Sequence, residues 1–544
     1  MTASSSLVSD SDAVVTGADT AGPYRWYVLA LLMVVYAMNF IDRQIVTILA
    51  PYLKADLNLT NAQIGLLYGT AFAMFYALLG IPLAKLADGW SRVKTLAAGL
   101  VFWSAMTTAS GLATSFGQLG AARLGVGVGE ASGSPAAVSL LSDYFPKRIR
   151  ASIFALYTTG MYLGMGASLM IGGYVVANWS GTFGLAGWQA AFILVGLPGI
   201  AVGALLFFTV REPIRGALDG NPHPGSAHPF RDVIEEAATM FPPWSITSLH
   251  KLGADRATIR RNIASLALIV IIAAIATSAA DAMLSPAMRP QLTAIGPLGI
   301  TSNFVQWFAI GLGIYAAISW LQAVRLRDPV AYALTAGSPA YRNMAACCGL
   351  LGIFTYAIGA FAFLYGSTYL GLRPESGLTL GALSAVGGGG GTALGGLLGD
   401  WVKRRHPAGR MYLLMFAITG FAVATIVQFT TNDQQTFFIA YFVALVLLTF
   451  WPPIMLATAQ DLVIPRLRGV GFAVQTLSTS LIGLGMGPYM VGLVSDITGS
   501  LRVAILGLMI LLFPLLVLLA RCARLLPGDE RSVVDRAIAA GEGR

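Results

Sequence analysis

The sequence predicts an all-α membrane protein made of two similar six-helix bundles with an extra pair of helices between them. Three observations support this fold class. Apolar residues make up 56% of the 544-residue chain and charged residues only 11%, whereas soluble domains average about 25% charged residues. Apolar stretches long enough to cross a bilayer as a helix recur along the chain. Short motifs of the first half reappear at equivalent places in the second half.

Fourteen apolar stretches have the length of a membrane span. In chain order the predicted spans are 26–51, 62–87, 94–114, 118–142, 151–177, 187–210, 261–285, 304–325, 343–371, 377–399, 409–431, 436–460, 468–495 and 501–521. The predicted parts of the chain are a disordered cytoplasmic tail without signal-peptide features (1–24), the first bundle (25–211), a cytoplasmic linker (212–260), an inserted hairpin with its own linker (261–342), the second bundle (343–523) and a cytoplasmic tail (524–544).

The basic residues predict that both termini lie in the cytoplasm. Two of them lie inside spans, and one set of alternate loops carries only four. These six are Arg43 and Arg123 in spans, and Lys54, Arg289, Arg373 and Arg502 in loops. The other 28 of the 34 Lys and Arg therefore lie on the side that holds the termini. Because cytoplasmic loops carry this excess in membrane proteins, the net charge of +9 indicates orientation rather than nucleic-acid binding.

The linker between the two halves contains one amphipathic helix. Apolar residues recur there at helical spacing, at Phe230, Val233, Ile234, Ala237 and Phe241. Such a helix lies on a membrane surface or against the helix bundle. A plain surface linker is the alternative, and the sequence favours it.

Four charged residues lie inside spans and predict the functional site. Asp42 and Arg43 follow Asn39 in the first span, and Arg123 and Glu130 lie seven residues apart on one face of the fourth. At about 1.5 Å per residue, the first pair lies roughly 24 Å from the inner end of its span, Glu130 roughly 18 Å and Arg123 roughly 28 Å. The four charges therefore share one slab of the membrane, where unpaired charges are costly and usually functional.

This cluster suits proton exchange. An apolar environment favours a protonated carboxyl, whereas a neighbouring Arg favours a carboxylate. A carboxyl held between these influences can exchange protons near physiological pH. Protonation of Asp42 or Glu130 would then free Arg43 to bind a substrate anion. The alternative is an ion-pair network with a purely structural role.

The second half lacks equivalent charges, because Leu448 stands at the place of Glu130 and Tyr441 at the place of Arg123. The candidate cavity residues are accordingly aromatic, apolar or weakly polar. They are Tyr36 and Ser134 in the first half and Tyr356, Tyr365, Thr368, Tyr369, Phe450, Trp451 and Met455 in the second. A cavity that is charged on one side and apolar on the other suits an amphiphile with an anionic or zwitterionic head.

Two loop motifs recur in both halves and predict a cytoplasmic gate. The gate candidates are Asp88, Arg92, Asp143 and Arg150 in the first half and Asp400, Arg404, Asp461 and Arg468 in the second. Arg92 is predicted to pair with Asp143, and Arg404 with Asp461. Asp88 and Asp400 are predicted to face the N-terminus of a helix from the other half, where a carboxylate is favoured. The alternative is that these charges only cap helices and fix topology.

The loop motif that contains Asp88 and Asp400 resembles the signature of the major facilitator superfamily over 26–211 and 343–521. It departs from that signature at Ala84, Gly89 and Trp401. Three further runs resemble the Spinster family, which is associated with the movement of sphingolipids and lysolipids. These runs are Asn39-Phe-Ile-Asp42-Arg43, Gly127-Val-Gly-Glu130-Ala131-Ser132 and Asp143…Pro146…Arg150. The resemblance implies two bundles that transport by alternating access.

The expected function is secondary active transport, coupled to protons, of a lipid-like amphipathic anion. The alternatives are a proton-coupled transporter of a small organic anion or drug, and a non-transporting membrane sensor. The chain has no catalytic triad pattern, phosphate loop or metal-ligand spacing, and Cys347, Cys348 and Cys522 are expected to be apolar filler. We therefore expect no enzyme activity, no metal, no cofactor except the proton, and no nucleic-acid partner. A monomer in the bilayer of the plasma or inner membrane is expected, with an amphipathic small molecule as substrate.

Overall fold

A computed structural model describes residues 22–542 except 180, 182–183, 220–224, 290 and 296–297. The all-α fold class is confirmed. Most of the predicted disordered tail lies outside the described residues, and the first helix begins at Tyr24. The first bundle contains α1 (Tyr24–Asp56), α2 (Asn61–Tyr68), α3 (Thr70–Gly89), α4 (Arg92–Ser110), α5 (Phe116–Glu130), α6 (Gly133–Tyr144), α7 (Lys147–Trp179) and α8 (Gly187–Thr209).

The middle of the chain contains helices and one short hairpin of strands. These elements are α9 (Pro229–Ala238), α10 (Trp244–Lys251), α11 (Arg256–Met283), β1 (Gln291–Ile295), β2 (Leu298–Thr301), α12 (Ser302–Arg327) and α13 (Pro329–Leu334). The two strands pair antiparallel and join α11 to α12. We call α11, the two strands and α12 the insert.

The second bundle repeats the plan of the first. Its helices are α14 (Pro339–Tyr369), α15 (Ser376–Arg405), α16 (Gly409–Thr430), α17 (Gln434–Leu448), α18 (Trp451–Asp461), α19 (Arg468–Ser478), α20 (Gly485–Thr498), α21 (Leu501–Gly507), α22 (Leu512–Arg531) and α23 (Val533–Ala539). A π-helix (Thr479–Leu484) joins α19 to α20, and short 3₁₀ turns cover Ala217–Asp219, Pro286–Met288, Pro465–Leu467 and Leu508–Leu511.

Eleven of the described helical segments are long and apolar enough to cross a membrane. The other three predicted spans coincide with α4, with α5 and α6 together, and with α15. Each of the fourteen predicted spans therefore has helix at its position, and the number that cross the bilayer stays a prediction.

The two bundles meet closely on one side of the molecule. We call the side where α1 begins the terminal face and the other side the opposite face. Towards the opposite face, α2 packs against α20 and α7 packs against α15. A Cβ at Gly65 would lie 2.4 Å from the carbonyl oxygen of Pro488, and one at Gly166 would lie 2.6 Å from that of Gly381. Only glycine permits backbones to approach this closely, as is common between membrane helices.

The predicted amphipathic helix is α9, and it packs against α3. Its buried side carries Glu236, whereas Phe230 and Ile234 are 56% and 68% exposed. Glu236 lies 3.0 Å from Lys85 Nζ and 2.6 Å from Arg327 Nη1, so it joins the linker to α3 and to the insert. Burial opposes ionisation of Glu236, but Lys85 and Arg327 outweigh it and hold the pKa of this carboxyl below its usual value.

Candidate functional site

The four intramembrane charges lie together at the middle of the first bundle. Asp42 and Arg43 lie in α1, whereas Arg123 and Glu130 lie in the last two turns of α5. All four residues are at most 5% exposed. Arg43 Nη2 donates to Glu130 Oε2 at 3.0 Å, and it lies 3.4 Å from Asn39 Oδ1. The structure thus joins the first and fourth predicted spans by an ion pair.

Arg123 and Asp42 interact in a different way. Arg123 Nη1 donates to the backbone carbonyl oxygen of Asp42 at 3.0 Å. Among the described residues, neither carboxyl oxygen of Asp42 has a hydrogen-bond partner within bonding distance, and Trp103 and Thr107 are the side chains that face it. A buried carboxylate without a partner costs several kcal/mol. An ionised Asp42 would therefore be costly unless a proton or another partner reached its carboxyl group.

Three aromatic rings enclose the Arg43 guanidinium. Its central carbon lies 4.8 Å from the centroid of Phe40, 4.3 Å from that of Phe72 and 4.8 Å from that of Tyr76. Cation–π contacts of this kind stabilise a desolvated guanidinium by about 1–2 kcal/mol. Tyr356 of α14 faces Arg43 from the second bundle. Arg43 therefore faces side chains of both bundles.

Some of the predicted cavity residues surround this centre. Tyr36 stacks on Tyr157 with 4.4 Å between ring centroids, and Ser134 faces Tyr157 from α6. Trp451 Nε1 donates to Thr355 Oγ1 at 3.0 Å, beside Tyr356. Two other candidates, Phe450 and Met455, are buried in the apolar core.

Three predicted cavity residues lie elsewhere. Tyr365, Thr368 and Tyr369 belong to the end of α14 at the opposite face, at least nine residues and hence roughly 13 Å beyond Tyr356. The Tyr365 hydroxyl donates to the carbonyl oxygen of Phe429 at 2.6 Å and accepts from Arg502 Nε at 2.9 Å. The structure therefore does not bring these three residues to the charged cluster.

Arg92 of the first-half gate forms two ion pairs among the described residues. Arg92 pairs with Asp143, as the motif predicts, and its Nε also lies 2.6 Å from Glu212 Oε1. Glu212 accepts from the Val93 amide at 2.9 Å and so caps the start of α4. Arg150 Nη2 donates to the carbonyl oxygen of Ser142 at 2.6 Å. Sequence reasoning missed Glu212, although an acidic residue that follows the sixth span was visible.

The second half uses a different arginine from the one predicted. Arg410 lies 2.7 Å from both Asp400 and Asp461, whereas Arg404 is exposed. The predicted pairing of Arg404 with Asp461 is therefore wrong. The reason is helix length, because α3 ends one residue after its Asp whereas α15 continues to Arg405. Arg92 and Arg410 are equivalent because each lies at the start of the third predicted span of its half, in α4 and α16 respectively.

The remaining gate candidates are exposed. Asp88 lies at the end of α3, where its backbone carbonyl accepts a hydrogen bond from Arg215. Arg468 begins α19 and is exposed. The neighbouring Arg466 instead lies 2.7 Å from Asp328 Oδ2 and also pairs with Glu542. The described pairs of Arg92 and Arg410 join helices of one bundle each.

A second gate-like contact, which the sequence analysis did not find, lies near the opposite face. Asp496 at the end of α20 accepts from the amides of Asn61 and Ala62 at 2.9 and 2.8 Å. A residue of the second bundle thus caps the N-terminus of α2 in the first. Lys54 Nζ donates to Asn61 Oδ1 at 2.7 Å and adds to the contact. An Asp directly after a predicted span is ordinary in a membrane protein, so little in the sequence marked this residue.

Comparisons with known proteins agree with this architecture. The family model described as "Major Facilitator Superfamily" matches residues 32–488. A major facilitator efflux pump of Mycolicibacterium smegmatis is 32% identical over 36% of this chain and 44% of its own length. The protein spinster of Drosophila melanogaster is 29% identical over 39% of this chain and 34% of its own length. The chain thus spans less than half the length of these curated relatives.

A solved structure extends the likeness to the whole fold. The crystal structure of a bacterial homologue of the human lysosomal transporter Spinster, inward-facing and unoccupied, covers 94% of this chain and 98% of its own, with a TM-score of 0.63 and 24% identity. The chain therefore belongs to the major facilitator superfamily, and this solved structure shares its fold. Within that superfamily it resembles the Spinster proteins.

Proposed function

We propose that this transporter is proton-coupled and moves a lipid-like amphipathic anion, of the sphingolipid or lysolipid type, by alternating access. The observation that carries the proposal is the buried 3.0 Å ion pair between Arg43 and Glu130. A pair of charges at mid-membrane depth is costly to maintain and is most often found where charge is moved or bound.

In this proposal Glu130 and the substrate anion compete for Arg43, and protonation of Glu130 decides which of them binds it. When Glu130 is ionised, it holds the Arg43 guanidinium by a charge-assisted hydrogen bond. Protonation of Glu130 removes that bond and frees Arg43 for the anionic head of a substrate. Asp42, next to Arg43 and held by its backbone to Arg123, is the second proton acceptor. Release of the substrate restores the Arg43–Glu130 pair and expels the proton.

The second bundle supplies the apolar side of the site. Tyr356 of α14 faces Arg43, and Trp451 of α18 donates to the neighbouring Thr355. We propose that the substrate tail lies against this wall, because the charges lie on the other side. The likeness to Spinster proteins supports a lipid-like substrate. The excess of basic residues on the terminal face supports a cytoplasmic location of both termini in a plasma or inner membrane. We propose that the chain works as a monomer with no cofactor except the proton.

The test is transport by the purified full chain in proteoliposomes. A lysolipid with an anionic or zwitterionic head is supplied on one side, and a pH gradient of either sign is imposed. We expect the gradient to change the lysolipid flux at least severalfold. A flux that ignores the pH gradient would refute proton coupling, whereas flux of small organic acids but not of lysolipids would refute the lipid-like substrate.

A small organic anion or drug is the second candidate. The aromatic rings of Phe40, Phe72 and Tyr76 surround Arg43 closely, as a compact anion would require. The likeness to a mycobacterial efflux pump also favours it. A thermal-shift comparison of lysolipids with small organic acids separates the two candidates, since only the true substrate class raises the unfolding temperature by mass action.

A further inference from the structure

The insert bridges both bundles through one buried side chain. Gln306 of α12 is fully buried. Its Oε1 accepts from Thr70 Oγ1 of the first bundle at 2.5 Å, and its Nε2 donates to the carbonyl oxygen of Gly485 in the second bundle at 3.0 Å. One amide group therefore joins three parts of the chain that are far apart in sequence.

Both bundles have an irregular helix at this junction. The second span of the first bundle breaks at Gly69, between α2 and α3. The fifth predicted span of the second bundle, which packs against this helix, contains the π-helix Thr479–Leu484, and the π-helix ends where α20 begins at Gly485. Breaks and π-helical turns of this kind commonly mark places where a helix bends in function. The two candidate hinges lie side by side, with Gln306 between them.

We call the two irregular helices, α2–α3 and α19–α20, the hinge helices, and the line of contact between them the seam. The insert lies along this seam on both sides of Gln306. Towards the opposite face, Tyr489 of α20 donates to Asn303 Oδ1 at 2.8 Å, and Leu284 of the insert packs in one cluster with Leu66 of α2 and Leu493 of α20. The insert thus covers the part of the seam where α2 and α20 are closed.

Towards the terminal face, a second apolar cluster includes the insert. Trp320 and Ala316 of α12 pack with Leu78 of α3 and Leu481 of the π-helix. The same cluster contains Met240 of the linker, and Trp320 Nε1 donates to Glu236 at 2.9 Å. The insert therefore contacts both of these helices on either side of the bend, and the linker joins it on the terminal side.

We propose that the insert is a latch on the transport cycle and that Gln306 is the positioning residue through which it acts. This rests on the proposed alternating access. To open the opposite face, α2 must leave α20, and Thr70 must leave Gly485. That movement breaks the bridge and leaves buried amide and carbonyl groups unpaired, which is costly in an apolar seam. The latch therefore stabilises the arrangement in which the opposite face is closed.

The test measures the width of the opposite face directly. Spin labels are attached to cysteines at the exposed positions Ala55 and Thr498, in α1 and α20 respectively. The native cysteines Cys347, Cys348 and Cys522 are fully buried and remain unlabelled. Double electron–electron resonance on the full chain in lipid nanodiscs then gives the populations of short and long distances without substrate or pH gradient.

Gln306→Leu is compared with Gln322→Leu in the same helix. Gln322 accepts from Asn262 at 2.8 Å, a hydrogen bond that stays within the insert. We expect Gln306→Leu to raise the ratio of open to closed opposite face about tenfold, as the loss of a buried hydrogen bond allows. Gln322→Leu is expected to leave that ratio unchanged.

A second variant tests the bridge itself. Thr70→Val should shift the distances in the same direction as Gln306→Leu, and the double variant should shift them no further than the larger single effect. If Gln306→Leu lowers the unfolding temperature but leaves the distance populations unchanged, Gln306 only supports the fold and the proposal is overturned. Because these distances are measured without transport, failure of the latch is distinguishable from failure of proton coupling.

Discussion

The two six-helix bundles share a helix plan but divide the chemistry between them. The first bundle buries Asp42, Arg43, Arg123 and Glu130 at one depth, whereas the second has Leu448 and Tyr441 at the places of Glu130 and Arg123. The aromatic residue Tyr356 faces Arg43 from the second bundle. A duplicated fold can therefore place charge on one side of a central site and apolar surface on the other. The buried pair of Arg43 and Glu130 lies within the first bundle, so separation of the two bundles does not by itself break it.

The largest expected effect concerns the charged bundle. Glu130→Gln removes the partner of Arg43 with almost no change in shape, and we expect lysolipid transport in proteoliposomes to fall more than about a hundredfold, the range seen when a group used in the key step is removed. Leu448→Met at the equivalent place of the second bundle is the matched control, expected to stay within about twofold of the wild type because volume is conserved.

Gel filtration in detergent shows whether Glu130→Gln is folded. Transport by a folded Glu130→Gln protein at the wild-type rate would reduce the asymmetry of the bundles to a structural feature.

The next effect concerns the linker, which Glu236 joins to the first bundle and to the insert. Glu236→Gln should lower the free energy of unfolding at pH 7 by about 2 kcal/mol, less than for a fully buried pair since Lys85 is half exposed. The folded-state pKa of Glu236 is depressed, so its stabilisation is present above the unfolded pKa and is lost as pH falls through the lower folded value. The difference between variant and wild type should therefore begin to shrink as pH falls below the unfolded value of about 4.3, and should keep shrinking at lower pH.

Thermal unfolding in detergent at several pH values measures this difference. Glu235→Gln is the control, because Glu235 is exposed and its described ion pair is with Arg231 on the same helix. A Glu236→Gln deficit that persists unchanged at low pH would mean that packing, and not charge, attaches the linker.

The smallest expected effect concerns the gate motif of the second bundle, where Arg410 takes the place that Arg92 has in the first. Arg410→Ala should lower stability by about 1 kcal/mol, because Arg410 pairs with two carboxylates that are themselves partly exposed. Arg404→Ala, four residues after Asp400, should have no measurable effect since Arg404 is exposed. Chemical unfolding of the two variants side by side tests the assignment. An equal loss in both, or a larger one in Arg404→Ala, would restore the pairing expected from the motif.

Much of the site was visible before the structure. The depths of Asp42, Arg43, Arg123 and Glu130 follow from the rise of a helix, so the sequence predicted that they share one slab. The contacts inside the slab were not predictable, because they depend on how α1 and α5 rotate about their axes. Arg123 thus contacts the backbone of Asp42 and not its carboxyl. Tyr365 illustrates the same limit, since its direction and its bond to Arg502 are set by packing.

The sequence by itself determined the fold class, the repeat and the unequal charge of the two halves, since apolar length, motif spacing and residue type are local properties. Only the tertiary structure decided which arginine pairs with Asp400 and Asp461 in the second-half gate motif, because that depends on where α15 ends. It also decided that the insert lies between the hinge helices of both bundles, with Gln306 joining Thr70 to Gly485. Contacts between segments so distant along the chain are set by helix packing, which no local pattern records.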